Sequence, residues 1–168
     1  VDIIGGKEVS GVCDSSYKFA YINTGSGWVS DSTWLPPSCF VNSGGDDEGL
    51  RIVDVNGDGL VDILKAQDSI YATCEDSYKT AYINNGAGWT QNDNWEPPIC
   101  FSDYSGEDEG TRLADVNGDG LVDILVGARD GLTCDDSERT AYINNGYGWT
   151  QDDTWQPNTC FVDYDDGD

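Results

Sequence analysis

The sequence predicts an all-β protein built from three tandem repeats of about 60 residues, and three observations support this. The chain aligns on itself: Ala20-Tyr-Ile-Asn-Thr-Gly-Ser-Gly-Trp28 returns as Ala81-Tyr-Ile-Asn-Asn-Gly-Ala-Gly-Trp89 and again as Ala141-Tyr-Ile-Asn-Asn-Gly-Tyr-Gly-Trp149. Its apolar segments are short, rich in Val, Ile, Tyr and Trp, and separated by Gly/Asn/Asp clusters, which is the pattern of strands and turns. A polar loop, Asp54-Val-Asn-Gly-Asp-Gly-Leu-Val-Asp62, recurs without change from Asp115 to Asp123.

The repeats run over residues 1–49, 50–110 and 111–168. In the middle one the expected strands are Leu50 to Asp54, Asp62 to Ala66, Thr80 to Asn84 and Gly88 to Trp95. Four strands in an antiparallel meander is a common size for a repeated blade, and no segment has a convincing helical period. Val1-Asp2-Ile3-Ile4 matches Val61-Asp62-Ile63-Leu64, and the segment from Phe161 to Asp168 matches Phe101 to Asp108. Both ends therefore fall inside a repeat. The expectation is a fragment of a longer repetitive chain, or a unit whose ends are completed by neighbouring copies.

Cys13 and Cys39, Cys74 and Cys100, and Cys134 and Cys160 form three evenly spaced pairs whose midpoints, Ser26, Ala87 and Tyr147, all lie in the Gly-x-Gly turn. Residues equidistant from a hairpin turn face each other on adjacent antiparallel strands, at a separation that suits a disulfide. The symmetry thus predicts three bridges within repeats. A cysteine metal site is the alternative, but no second pair or histidine stands near enough in sequence to complete it. Paired cysteines favour an oxidising compartment, so the expected location is secreted, extracellular or at the cell surface.

Composition narrows the function. Thirty-two acidic residues against eight basic ones leave a formal charge of −24, which disfavours nucleic acid and anionic membrane surfaces as partners and favours cations. Histidine is absent, so neither a Ser/His/Asp nor a Cys/His arrangement exists within the chain. No apolar run is long enough to insert into a membrane, and no leader pattern precedes Val1, which reads as mature soluble protein.

In the repeated loop, side-chain oxygens recur at alternate positions, from Asp54, Asn56, Asp58 and Asp62, and the glycines between them permit a tight bend. Hard oxygen donors select a hard cation. With a main-chain carbonyl, that of Leu60, the set approaches the oxygen number that calcium prefers, and the stricter octahedron of magnesium fits less well. An EF-hand needs a bidentate Glu at the twelfth position, where this chain has Lys65 and Val126. A metal-free Asx-rich turn is the remaining alternative, opposed by the crowding of three carboxylates.

The loop followed by Tyr-Ile-Asn-Asn-Gly-x-Gly-Trp resembles the FG-GAP/VCBS repeats of integrin-α-like β-propellers, and the resemblance covers essentially the whole chain. It implies four-stranded antiparallel propeller-type blades; the three repeats present here are too few to close a ring on their own. It also implies Ca2+ in a hairpin loop between the first two strands of a blade. The ligands it implies are Asp54, Asn56, Asp58, Leu60 and Asp62, then Asp115, Asn117, Asp119, Leu121 and Asp123, with Asp2 as the last ligand of an incomplete third site.

The repeated tryptophans and tyrosines suit packing between units better than sugar stacking, although glycans remain a conceivable partner. Because all repeats carry the same apparatus, the expected function is structural: calcium and disulfides rigidify units that self-associate into a fibre, coat or adhesive surface. A lectin-like propeller is the runner-up. No enzyme is expected, since the acids that paired-carboxylate chemistry would use are accounted for by the cation.

Overall fold

A computed structural model describes residues 2–68, 74, 78–129, 134–135, 137 and 139–163, with Arg129 and Asp163 described by backbone alone. Twelve strands form three sheets among these residues. The first sheet contains β1 (Ile3–Gly6), β2 (Lys18–Asn23) and β3 (Trp28–Ser30). The second is a meander of β4 (Leu50–Val53), β5 (Asp62–Ala66), β6 (Lys79–Asn84) and β7 (Trp89–Gln91). The third comprises β8 (Thr111–Ala114), β9 (Asp123–Arg129), β10 (Arg139–Asn144), β11 (Trp149–Gln151) and β12 (Val162–Asp163).

This corrects the expected fold of uniform four-stranded antiparallel propeller-type blades. The sheets hold three, four and five strands, and none is closed. β12 pairs in parallel with β9, Val162 opposite Ala128. The reason is a chain path common to all three repeats: after the second cysteine the segment returns beside the strand that follows the loop. Phe40, Phe101 and Phe161 donate their N–H groups to the carbonyls of Gly6, Ala66 and Gly127. In the first two repeats the return makes only isolated parallel bridges, Lys7 to Val41 and Gln67 to Ser102. An alternating apolar pattern specifies a strand but not the edge it docks against.

The fourth expected strand, Gly88 to Trp95, is also shorter than its apolar content suggests. β7 stops at Gln91, and Asp93–Trp95 is a 3-10 turn whose cap residue Asn92 accepts from the Asn94 N–H. Asp31 and Asp152 cap the same turn in the other repeats. An Asx side chain that binds its own backbone two residues on offers the chain a turn in place of a ladder.

The three bridges join Cys13 to Cys39, Cys74 to Cys100 and Cys134 to Cys160, with Cα separations of 5.8, 5.7 and 5.7 Å. The cysteines lie in the connections flanking the hairpins rather than on the strands, because the β2–β3 ladder already ends at Tyr21 opposite Ser30. The bridges thus tie the hairpin's entry to its exit. Reduction is expected to cost about 3 kcal/mol per bridge by freeing the unfolded chain. Urea unfolding with and without dithiothreitol measures this; equal midpoints would show that the bridges do not stabilise the fold.

The core lies between consecutive sheets. Val55, Leu64, Ala66, Ala81, Trp95, Cys100 and Phe101 form one buried cluster, and Val53, Ile83, Leu113 and Trp149 pack against it. β5 is buried at Asp62, Ile63, Leu64 and Ala66, so both of its faces are covered, unlike a strand with one wet face. The repeats step regularly onto one another: Trp34 meets Trp89 edge to face at 5.8 Å, and Trp95 meets Trp149 in the same way at 5.9 Å. Arg51 lies over Phe101 and Arg112 over Phe161, each at 5.3 Å.

Candidate metal centre

Residues 54–61 connect β4 to β5, and residues 115–122 connect β8 to β9. Both loops have the same internal bonding. Asp54 accepts from the Gly57 and Gly59 N–H groups, both at 2.8 Å, and Asp115 accepts from Gly118 and Gly120 at 2.7 and 2.9 Å. Asn56 and Asn117 each accept from the N–H two residues on, at Asp58 and Asp119. Asp58 and Asp119 accept from Leu60 and Leu121, both at 2.8 Å. Gly57 and Gly59 have φ of 74° and 87°, in the left-handed region where a side chain would strain this coil of alternating acceptors.

The ninth loop position does something the motif alone did not reveal. Asp62 is fully buried, accepting from the Val55 N–H at 3.0 Å within its own loop and from the Asn84 N–H at 2.8 Å in the hairpin. Asp123 does the same with Val116 and Asn144, and Asp2 accepts from Asn23 at 3.1 Å. Each of these acids therefore fastens to the β-hairpin of its own repeat. Burial pushes the Asp62 carboxyl above its ordinary range; the N–H groups of Asn84 and Val55 pull it down, and the neighbouring Asp58 and Asp54 push it up again.

Sequence reasoning did not single out the hairpin asparagine Asn144 as a functional residue. Asn144 donates its Nδ2 to the Val55 carbonyl at 2.7 Å and to that of Val122 at 3.2 Å, linking the hairpin of residues 111–168 to the loop of residues 50–110. The signal was present in the sequence as the invariant Asn of Tyr-Ile-Asn, which reads as turn chemistry until its partner is known.

Among the described residues, no three acidic or cysteine side chains are gathered closely enough to hold a metal ion as placed. The carboxylates of Asp54 and Asp58 are instead turned onto loop N–H groups, which use only part of their acceptor capacity. The donor set nonetheless fits a hard cation. Its side-chain donors are oxygens on one short loop, and the Asp62 carboxyl, raised chiefly by burial and further by Asp58 and Asp54, is one whose charged form a cation would favour.

No family model matches the chain, and no curated protein does. The FG-GAP/VCBS resemblance therefore rests on the motifs quoted above.

Proposed function

We propose that this chain is a calcium-stabilised, disulfide-stapled extracellular structural repeat protein whose units build a fibre, coat or adhesive surface. The observation that carries the reading is where the loops lie. The 54–62 loop stands at the joint between successive sheets, tied to the next hairpin through Asn144 and Val55, so a cation there would stiffen both a repeat and its contact with the next. In each loop Asp54, Asn56, Asp58, Asp62 and the Leu60 carbonyl, or Asp115, Asn117, Asp119, Asp123 and the Leu121 carbonyl, would hold it. Calcium supplies charge neutralisation and rigid coordination, and no reaction.

Three disulfides support an oxidising, extracellular setting, and among the described residues no helix is long and apolar enough to cross a membrane. The likeness of loop and hairpin to FG-GAP/VCBS motifs supports calcium, and the charge of −24 gives the surface affinity for cations generally.

Calorimetric titration with calcium tests the reading. Two sites are expected, and Asp58→Ala is expected to abolish one while leaving the one at Asp119 intact. Absence of bound calcium in the unsubstituted chain would overturn the assignment, and loss of both sites in the variant would show that they are coupled.

A further inference from the structure

The two joints between successive repeats hold different chemistry at one place. Lys65, on β5, reaches back to the preceding repeat, where its Nζ donates to the Ser38 hydroxyl and to the Glu48 carboxylate, each at 3.1 Å. Gln67 makes a parallel contact, with Nε2 donating to the Asp47 carbonyl at 3.1 Å. Glu48 is 9% exposed, so its charge is matched by Lys65 largely out of water. Ser38, Glu48, Lys65 and Gln67 line a polar cavity of about 610 Å³ together with Thr80 and Tyr82.

In the next joint the counterparts of Ser38, Lys65 and Gln67 are Ile99, Val126 and Ala128, and only the acid is kept, as Glu109. Val126 is buried and Glu109 only partly so. Three polar positions of one joint are thus apolar together in the other. The halves do not interchange. Val126 set against the first repeat would strip the buried Glu48 of its cation, and Lys65 set against Ile99 would desolvate an ammonium beside a side chain that accepts nothing. The tryptophan contacts carry no such distinction, since Trp34 on Trp89 and Trp95 on Trp149 have the same edge-to-face geometry.

We infer that Ser38, Glu48 and Lys65 form a matching device that fixes the order in which these near-identical repeats stack. The Lys65 face accepts the repeat that bears Ser38 and Glu48 and rejects the repeat that bears Ile99. A buried ion pair adds little net stability over apolar packing, but it penalises the wrong neighbour, and repeats this similar are otherwise prone to exchange between chains. The inference goes beyond the proposed structural role by naming the side chains that decide which unit stands next to which, and it requires no cation.

The test uses the full disulfide-intact chain and has two arms. In urea unfolding, Val126→Lys is expected to lower the midpoint or prevent folding, and adding Ile99→Ser is expected to recover most of the loss, because the hydroxyl and Glu109 then reproduce the first joint. In that joint Ser38→Ile and Lys65→Val are expected to be coupled, the unfolding constant of the pair falling short of the product of the single effects by about tenfold. The second arm reads order itself. The triple variant Ser38→Ile, Glu48→Gln, Lys65→Val makes the first joint apolar like the second, and on refolding from urea its monomer yield is expected to fall by about half in favour of exchanged dimers seen by size-exclusion chromatography. Additive effects in both pairs overturn the inference, and so does a monomer yield of the triple variant equal to that of the unsubstituted chain.

Discussion

Chelation of calcium is expected to lower the melting temperature by about 10–20 °C. A ligand that binds only the folded loop stabilises by RT ln(1 + [L]/Kd), about 2.7 kcal/mol per site at a hundredfold excess over Kd. Two independent loops then contribute about 5 kcal/mol, and a chain of this size shifts by about 2–4 °C per kcal/mol. The sign with pH follows from Asp62, whose carboxyl is raised in the fold by burial and by its acidic neighbours. A carboxyl with a raised folded value stabilises the fold below its unfolded value, and that contribution is lost as pH rises through the raised value. Without metal the loop is therefore least favourable towards neutral pH, and the gap between calcium and chelator is expected to widen from acid to neutral conditions. Thermal scans in calcium and in chelator across that range check both points. Identical melting temperatures at neutral pH would remove calcium from the account of this fold.

Gly49→Ala is expected to cost about 3–5 kcal/mol, at the upper end of single substitutions. Gly49 has φ of +67°, and a Cβ there would lie 2.2 Å from the carbonyl oxygen of Ala66. That oxygen cannot retreat freely, because it accepts from the Phe101 N–H at 2.9 Å, while the Ala66 N–H donates to the Gly49 carbonyl at 3.0 Å. Gly110 stands in the same relation to Gly127, with a Cβ 2.5 Å from its carbonyl oxygen, so Gly110→Ala is expected to behave alike. Gly59 is the control: its φ is +87°, but a Cβ would meet nothing within 4 Å, so alanine there costs only the left-handed strain of about 1 kcal/mol. Urea unfolding of the three variants separates the effects. A Gly49→Ala cost no greater than that of Gly59→Ala would show that the backbone at this crossing yields readily.

Much of this molecule is legible in its sequence because repetition makes local signals audible three times. The Val/Ile/Tyr/Trp segments marked the positions of β4, β5 and β6 to within a residue at their ends. The cysteine symmetry selected one pairing out of many. Repeated Trp34, Trp89, Trp95 and Trp149 pointed to contacts between units, and they meet there. All of these depend on spacing along one chain, which a sequence records directly.

What the sequence could not reveal depends on which surfaces meet. That the segment after each second cysteine returns parallel beside the strand following the loop, and lengthens into β12 only once, was decided by packing against that strand's edge. Asp62 and Asp123 read as the ninth donors of a loop, and only the fold showed them buried and bound to hairpin N–H groups. The role of Asn144 was hidden for the same reason, since its acceptor, the Val55 carbonyl, lies 89 residues away. The sequence by itself determined the repeat, the positions of β4, β5 and β6, and the disulfide pairs, because each is fixed by residue type and local spacing. Only the tertiary structure decided strand neighbours and the burial of the ninth-position acids, because hydrogen bonds and apolar contacts between distant segments form only once the sheets are stacked.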